Sequence, residues 1–259
     1  MSDALPNQEP QLPIHLLTEE EDLVTWAHCA DSDRLVLSFS GIGVEEKGVP
    51  PYEFAKIATG EGRDNVLFIS DPNRSWLNGK GLIDRIVKLA RKFAEEMGAK
   101  EIVTLGHSMG GYAAIILSGF LPVKSAVALA PQYSVHPEVT GDDERWMNWR
   151  EQITTHRIRS VEEHLSDDTM YHVFHGMHGR ERPQRDRFPV RHNLYHTIMP
   201  RTVHNVPQRL KRFELLYEIV QLGFENKPKQ MRIAMEPLRG FRRNVDQFPV
   251  LAPSSEVSS

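Results

Sequence analysis

The residues best placed to do chemistry in this sequence gather in 101-EIVTLGHSMGGYAAIIL-117, where Gly106-His107-Ser108-Met109-Gly110 sets a serine between two glycines. A serine hydroxyl becomes a nucleophile only when a base takes its proton, and that base is in turn held by an acid. The chain offers 12 histidines and 35 acidic residues, so Ser108 by itself names neither partner. Glycine-serine patterns of five residues arise often by chance, and the setting of this one decides its meaning. An apolar, strand-like run precedes Ser108 and a helix-like run follows it. On such a strand-to-helix turn a serine sits in strained backbone with its hydroxyl raised above the sheet. The helix that starts behind it aims free N–H groups, Met109's among them, at a developing oxyanion. Gly106 and Gly110 belong where the turn presses backbone against its neighbours.

The elements that must hold this turn follow from periodicity. Continuous apolar runs predict buried strands at 34–40, 65–70, 101–106, 124–130, 170–176 and 193–199. Helical spacing predicts helices at 80–98, 109–121 and 206–223, the first and last closing on glycine. Short apolar strands alternating with helices give an α/β protein with a mostly parallel sheet covered by helices on both faces, and its ligands lie at the carboxyl ends of the strands. Residues 132–168 interrupt the alternation with a polar, partly helical segment carrying Trp146 and Trp149, placed to act as a cap over the site. The domain is expected to run from 13 to 223, followed by a basic, proline-punctuated extension over 224–251. Residues 1–12 and 252–259 lack hydrophobic periodicity and are expected to be disordered.

Charge and composition narrow the partners. Thirty-one basic against 35 acidic residues leave a formal charge of −4, which gives no general attraction to nucleic acid or to an anionic membrane. No apolar run approaches the roughly 20 residues that span a bilayer, and the first residues are polar and acidic, unlike a signal peptide. A single cysteine, Cys29, excludes an intrachain disulfide and fits a reducing, cytoplasmic location. His172, His175 and His178 are spaced by three, but on a strand His172 and His175 project to opposite faces, so no metal site is expected.

The GHSMG turn and its strand and helix resemble the nucleophile elbow of the α/β-hydrolase superfamily, and the likeness runs from about Arg34 to Gly223. More narrowly, FSGIG after an early strand, SDPNRSW after the next and PQYS behind the elbow resemble a little-characterised bacterial group of serine-hydrolase-like proteins, some of them associated with surface polysaccharide. The superfamily orders its residues serine, acid, histidine. Its histidine follows the last strand, which implies His204, with His196 the nearest competitor inside a strand. His107 is expected to support the pocket. The acid is expected after the strand 170–176. Where many members carry an aspartate this chain has Gly179, so the carboxylate comes from Glu181 or Asp186, and 181-ERPQRDRF-188 matches the narrower group's pattern with Glu181 first. Arg180, Arg182, Arg185 and Arg187 are expected to crowd it.

A second oxyanion donor is implied in the glycine turn 40–43, with Ile42 N–H, beside Gly41, the expected group. Asp71 braces its own loop, and Trp76, His107, Gln132 and Tyr133 are expected around the pocket. These implications describe a serine hydrolase that cleaves a small-molecule carboxylic ester or thioester through an acyl-enzyme, with no cofactor. Two alternatives stay open: a catalytically inactive relative that binds or scaffolds, glycan-related or otherwise, and an acyltransferase. Oligomeric state is not legible.

Overall fold

A computed structural model describes residues 12–45 and 47–254. Most of the two ends expected to be disordered, residues 1–11 and 255–259, lies outside these described residues.

Nine strands form one sheet among the described residues: β1 (His15–Glu19), β2 (Val24–His28), β3 (Arg34–Phe39), β4 (Asn65–Ser70), β5 (Glu101–His107), β6 (Val123–Leu129), β7 (Met170–Gly176), β8 (Leu194–Met199) and β9 (Phe241–Arg242). Their order is β1-β2-β4-β3-β5-β6-β7-β8-β9. The stretch from β4 to β8 is parallel throughout. Antiparallel partners close both edges.

The parallel strands are nearly all buried because both faces are covered, which is why they read as unbroken apolar runs. Alternate side chains divide into two cores. Leu35, Leu37, Leu67, Ala126 and Val173 pack under α1 (Leu82–Glu96) and α2 (Met109–Ile116). Val36, Val66, Val103, Val127 and Phe174 pack under α3 (Val206–Arg212), α4 (Leu216–Phe224) and α5 (Pro228–Ala234).

Three local expectations differ from the structure. The closing helix is two helices, because Glu214 takes a left-handed backbone (φ 59°) and Leu215 N–H returns to Leu210 O at 3.0 Å. Apolar residues at 210, 213, 215 and 216 fit either one helix or two, and no glycine or proline marks the break. The helix predicted over 109–121 ends at Ile116 and tightens into a 3-10 turn, Leu117–Gly119. Residues 224–251 hold α5 and the edge strand β9, so this stretch completes the sheet beside β8.

Parallel register brings the working ends level. Phe39 lies opposite Gly106, His107 opposite Leu129, Leu129 opposite Phe174, and Gly176 opposite Met199. The loops that leave β3, β5, β6, β7 and β8 therefore emerge side by side. No helix among the described residues is long and apolar enough to cross a membrane.

Candidate active site

Ser108 occupies the turn between β5 and α2 with φ 56° and ψ −121°, a backbone strained for any residue with a side chain. The turn is possible only because its flanks are bare. A Cβ on Gly106 would stand 2.1 Å from the Gly110 carbonyl, and one on Gly110 would stand 2.2 Å from Phe39 O. Ser108 N–H is fixed to Leu129 O at 2.9 Å, and the residue is 4 % exposed.

The loop after β8 delivers His204, and Asn205 caps α3 just behind it by accepting Gln208 N–H at 3.2 Å. His204 Nε2 lies 2.9 Å from Ser108 Oγ, and Nδ1 lies 3.1 Å from Glu181 Oε2. Its ring is flanked by Trp146 at 4.9 Å and His107 at 5.1 Å, centroid to centroid. His107 Nε2 also lies 3.2 Å from His204 O. Burial first, and the neighbouring His204 second, push the pKa of His107 down to about 3. A neutral His107 therefore donates to that carbonyl and braces the loop.

Glu181 ends the 3-10 turn Gly179–Glu181 after β7 and is 2 % exposed. Burial opposes its charge, yet the bond from His204 and the positive charge of Arg145 hold its pKa down to about 2. Arg145 Nη1 donates to Glu181 Oε1 at 2.6 Å. The neighbours expected to crowd this carboxylate do other work. Arg185 binds Asp186 and the carbonyls of Gly176 and Met177; Arg187 binds Asp142 and Pro183 O; Arg180 and Arg182 are exposed. A helical turn disperses consecutive side chains around its axis, so sequence neighbours of Glu181 point away from it. Asp186 is locked to Arg185 at 2.6 and 2.9 Å and makes no contact with His204.

The glycine turn after β3 carries a surprise. Gly41 N–H, expected to face an oxyanion beside Ile42, donates instead to Glu53 Oε2 at 3.3 Å. Burial raises the Glu53 carboxyl to about 7, with the Gly41 N–H working against the rise. Ile42 keeps its place on the cleft wall, where Arg74 Nε holds its carbonyl at 3.1 Å. Arg74, itself buried, also gathers the carbonyls of Glu45, Gly48 and Pro72, so one guanidinium shapes the whole loop. Asp71 accepts from Asn73 and Ser75 within its own loop.

Ser108 and His204 open onto a cleft of about 1120 Å³ whose walls include Ile42, Glu53, Phe54, Trp146, Lys211 and Tyr217. Trp76, Gln132 and Tyr133 do not line it. Trp76 is fully buried behind Ser108, donating Nε1–H to Gln132 Oε1 at 3.1 Å, and Tyr133 turns its hydroxyl to Glu162 at 2.5 Å. Gln132 reaches Ser108 Oγ from behind at 3.0 Å. The three histidines at spacing three separate as a strand requires. His172 is buried beside Tyr195, His175 bonds His196 and Pro131 O, and His178 caps the turn before Glu181. His196, the competitor, is thus held in the core.

Sequence reading missed Arg145, Glu53 and Arg74. Arg145 lies within the inserted segment, and no local pattern marks it. Arg74 follows β4 by a few residues, at the end where ligands lie, and that position is its one available signal. Glu53 lies well beyond the end of β3, and no local pattern marks it.

No family model matches this sequence, and no curated protein matches it. Solved structures do match in three dimensions. The Glycosylation Associate Protein (Gap123) complex of Streptococcus agalactiae aligns at a TM-score of 0.57 and 12 % identity over 80 % of this chain. This chain spans about half of that one, 46 %. The capsule O-acetyltransferase of Neisseria meningitidis serogroup A aligns at 0.52 and 11 %, covering 78 % of this chain and 92 % of that one. An esterase of Pyrococcus furiosus aligns at 0.52 and 15 %, covering 91 % and 95 %. Strand order, the strained turn at Ser108 and these matches agree that the chain has the α/β-hydrolase fold.

Proposed function

We propose that this protein is a serine hydrolase that cleaves a carboxylic ester or thioester through an acyl-enzyme. One observation carries the reading: hydroxyl, imidazole and carboxylate stand in series, Ser108 to His204 at 2.9 Å and His204 to Glu181 at 3.1 Å. Ser108 Oγ attacks the carbonyl carbon as its proton passes to His204 Nε2. Glu181, charged and buried, fixes the ring through Nδ1–H and stabilises the imidazolium. Met109 N–H, at the free end of α2, and Ile42 N–H hold the oxyanion, each donor contributing roughly 3 kcal/mol in the transition state. The imidazolium returns its proton to the leaving group, and water repeats the sequence on the acyl-enzyme. The esterase among the structural neighbours supports this reaction class.

A second reading, transfer of the acyl group to a hydroxyl acceptor, is favoured by the size of the cleft. It extends from Ser108 past Lys211 to Tyr217, which leaves room for an acceptor beside the acyl-enzyme. The O-acetyltransferase of a capsule among the neighbours supports it too. Both readings share every step up to the acyl-enzyme. Rapid mixing with a p-nitrophenyl ester of a short acid tests them together: a burst of about one equivalent of p-nitrophenol and an acylated Ser108 peptide are expected. Adding an oligosaccharide acceptor then separates transfer from hydrolysis. Absence of both burst and acylated peptide across short esters and thioesters would remove the reading.

A further inference from the structure

We propose that Gln132 is a positioning residue for Ser108: its amide, oriented by Trp76, donates to Oγ and leaves the hydroxyl proton a single acceptor, His204. This inference rests on Ser108 acting as the nucleophile. The two ends of a glutamine amide are told apart by their partners. An indole N–H can only donate, so the atom of Gln132 that faces Trp76 Nε1 at 3.1 Å is the carbonyl oxygen. The amide nitrogen is then the atom at 3.0 Å from Ser108 Oγ. An amide N–H₂ accepts nothing, so the Ser108 proton cannot turn that way. Its remaining partner is His204 Nε2 at 2.9 Å.

Five side chains therefore form one directed series. Trp76 donates to Gln132, Gln132 to Ser108, Ser108 to His204, and His204 Nδ1–H to Glu181. Each bond in such a series polarises the next in the same sense. As Oγ gives up its proton and forms the bond to the acyl carbon, the amide N–H stabilises the negative charge that passes through that oxygen. Gln132 itself loses and gains no atom.

The surroundings hold the amide still. Gln132 is 1 % exposed and Trp76 fully buried, so water does not compete for either bond. The backbone before Gln132 is fastened on both sides. Ala130, at φ 45°, donates N–H to Phe174 O at 2.7 Å, and Pro131 O lies 2.9 Å from His175 Nε2. Burial pushes the pKa of His175 down to about 3, so this ring is neutral and its proton is free to sit on Nε2.

Three variants test the assignment, read by ester turnover, by the rate of fluorophosphonate labelling and by thermal unfolding. Gln132→Met keeps the length but cannot donate. It should lower kcat and the labelling rate about 10- to 100-fold, with KM within about threefold and the acid limb of the kcat/KM profile unmoved. Gln132→Glu still accepts from Trp76 but also accepts from Ser108. It should lose at least about tenfold more, and its acid limb should move to higher pH, because a new carboxylate beside the ring favours imidazolium. Trp76→Phe leaves Gln132 in place but frees the amide to turn, and should cost about three- to tenfold. Parental rates in Gln132→Met, equal losses in Gln132→Met and Gln132→Glu with unmoved pH profiles, or a parental rate in Trp76→Phe would each overturn the proposal while leaving the hydrolase reading intact. A parent protein that neither turns over esters nor takes the label overturns both.

Discussion

Arg145 and Glu181 meet at 2.6 Å, Nη1 to Oε1, on the carboxylate oxygen that His204 does not use. The contact joins the segment inserted after β6 to the loop after β7. Arg145 is held for this task by Asp143 at 2.8 and 3.0 Å, and Gln184 steadies Asp143 in turn at 2.8 Å. The inserted segment thus reaches His204 through Trp146 and Glu181 through Arg145.

Replacing Arg145 should therefore act on both stability and pH response. The fold lowers the Glu181 pKa from 4.5 to about 2, so this carboxylate contributes stability that is present above about pH 4.5 and lost as pH falls toward 2. Arg145→Met should cost about 2 kcal/mol near neutral pH and shallow the loss of Tm on acidification. Unfolding scans between about pH 3 and pH 7 check both effects.

Glu181 and Asp186 should respond differently to loss of charge at constant shape. Glu181→Gln should lower kcat about 10²- to 10⁴-fold, because an amide can donate to the ring and favour the wrong tautomer. Asp186→Asn breaks the pair with buried Arg185, so it should lower Tm while kcat per folded molecule stays within about threefold. Steady-state kinetics corrected for the folded fraction reads the ranking.

Glu53 introduces a second ionisation into the cleft. Its pKa is raised to about 7, so the fold favours its protonated form: that contribution to stability is full below about pH 4.5 and is lost as pH rises through 7. Once ionised, the carboxylate holds Gly41 N–H and opposes a neighbouring oxyanion. The parent kcat/KM should fall above about pH 7, and Glu53→Gln should abolish that fall. The Tm advantage of Glu53→Gln should also be larger near pH 8 than near pH 5.

How much of this was legible in sequence depended on the range of each interaction. Strands β3 to β8 read clearly, since burial on both faces writes an uninterrupted apolar run such as NVLFIS. β1 did not, because HLLTE is almost wholly exposed, and neither did β2, where buried Thr25 and His28 interrupt the apolar run of VTWAH. β9, two residues long, carries no period at all. At the site, Ser108 was marked by its own turn, and His204 and Glu181 by resemblance to a known order. Arg145, Glu53 and the turn of Gln132 toward Ser108 depend on contacts between loops, and a side chain's partner across a loop is not written in its neighbours.

A hydrogen-bonded series that activates Ser108 as a nucleophile makes this hydroxyl reactive toward phosphonylating reagents. Incubation of the pure protein with a fluorophosphonate probe, with the modified peptide mapped by mass spectrometry, tests it most directly. Stoichiometric labelling at Ser108 is expected, with no labelling of Ser108→Ala and a Tm for that variant within about 3 °C of the parent, since one turn hydroxyl adds little packing. An unlabelled parent, or equal labelling of parent and Ser108→Ala, would contradict it and leave binding without turnover as the better description of the site.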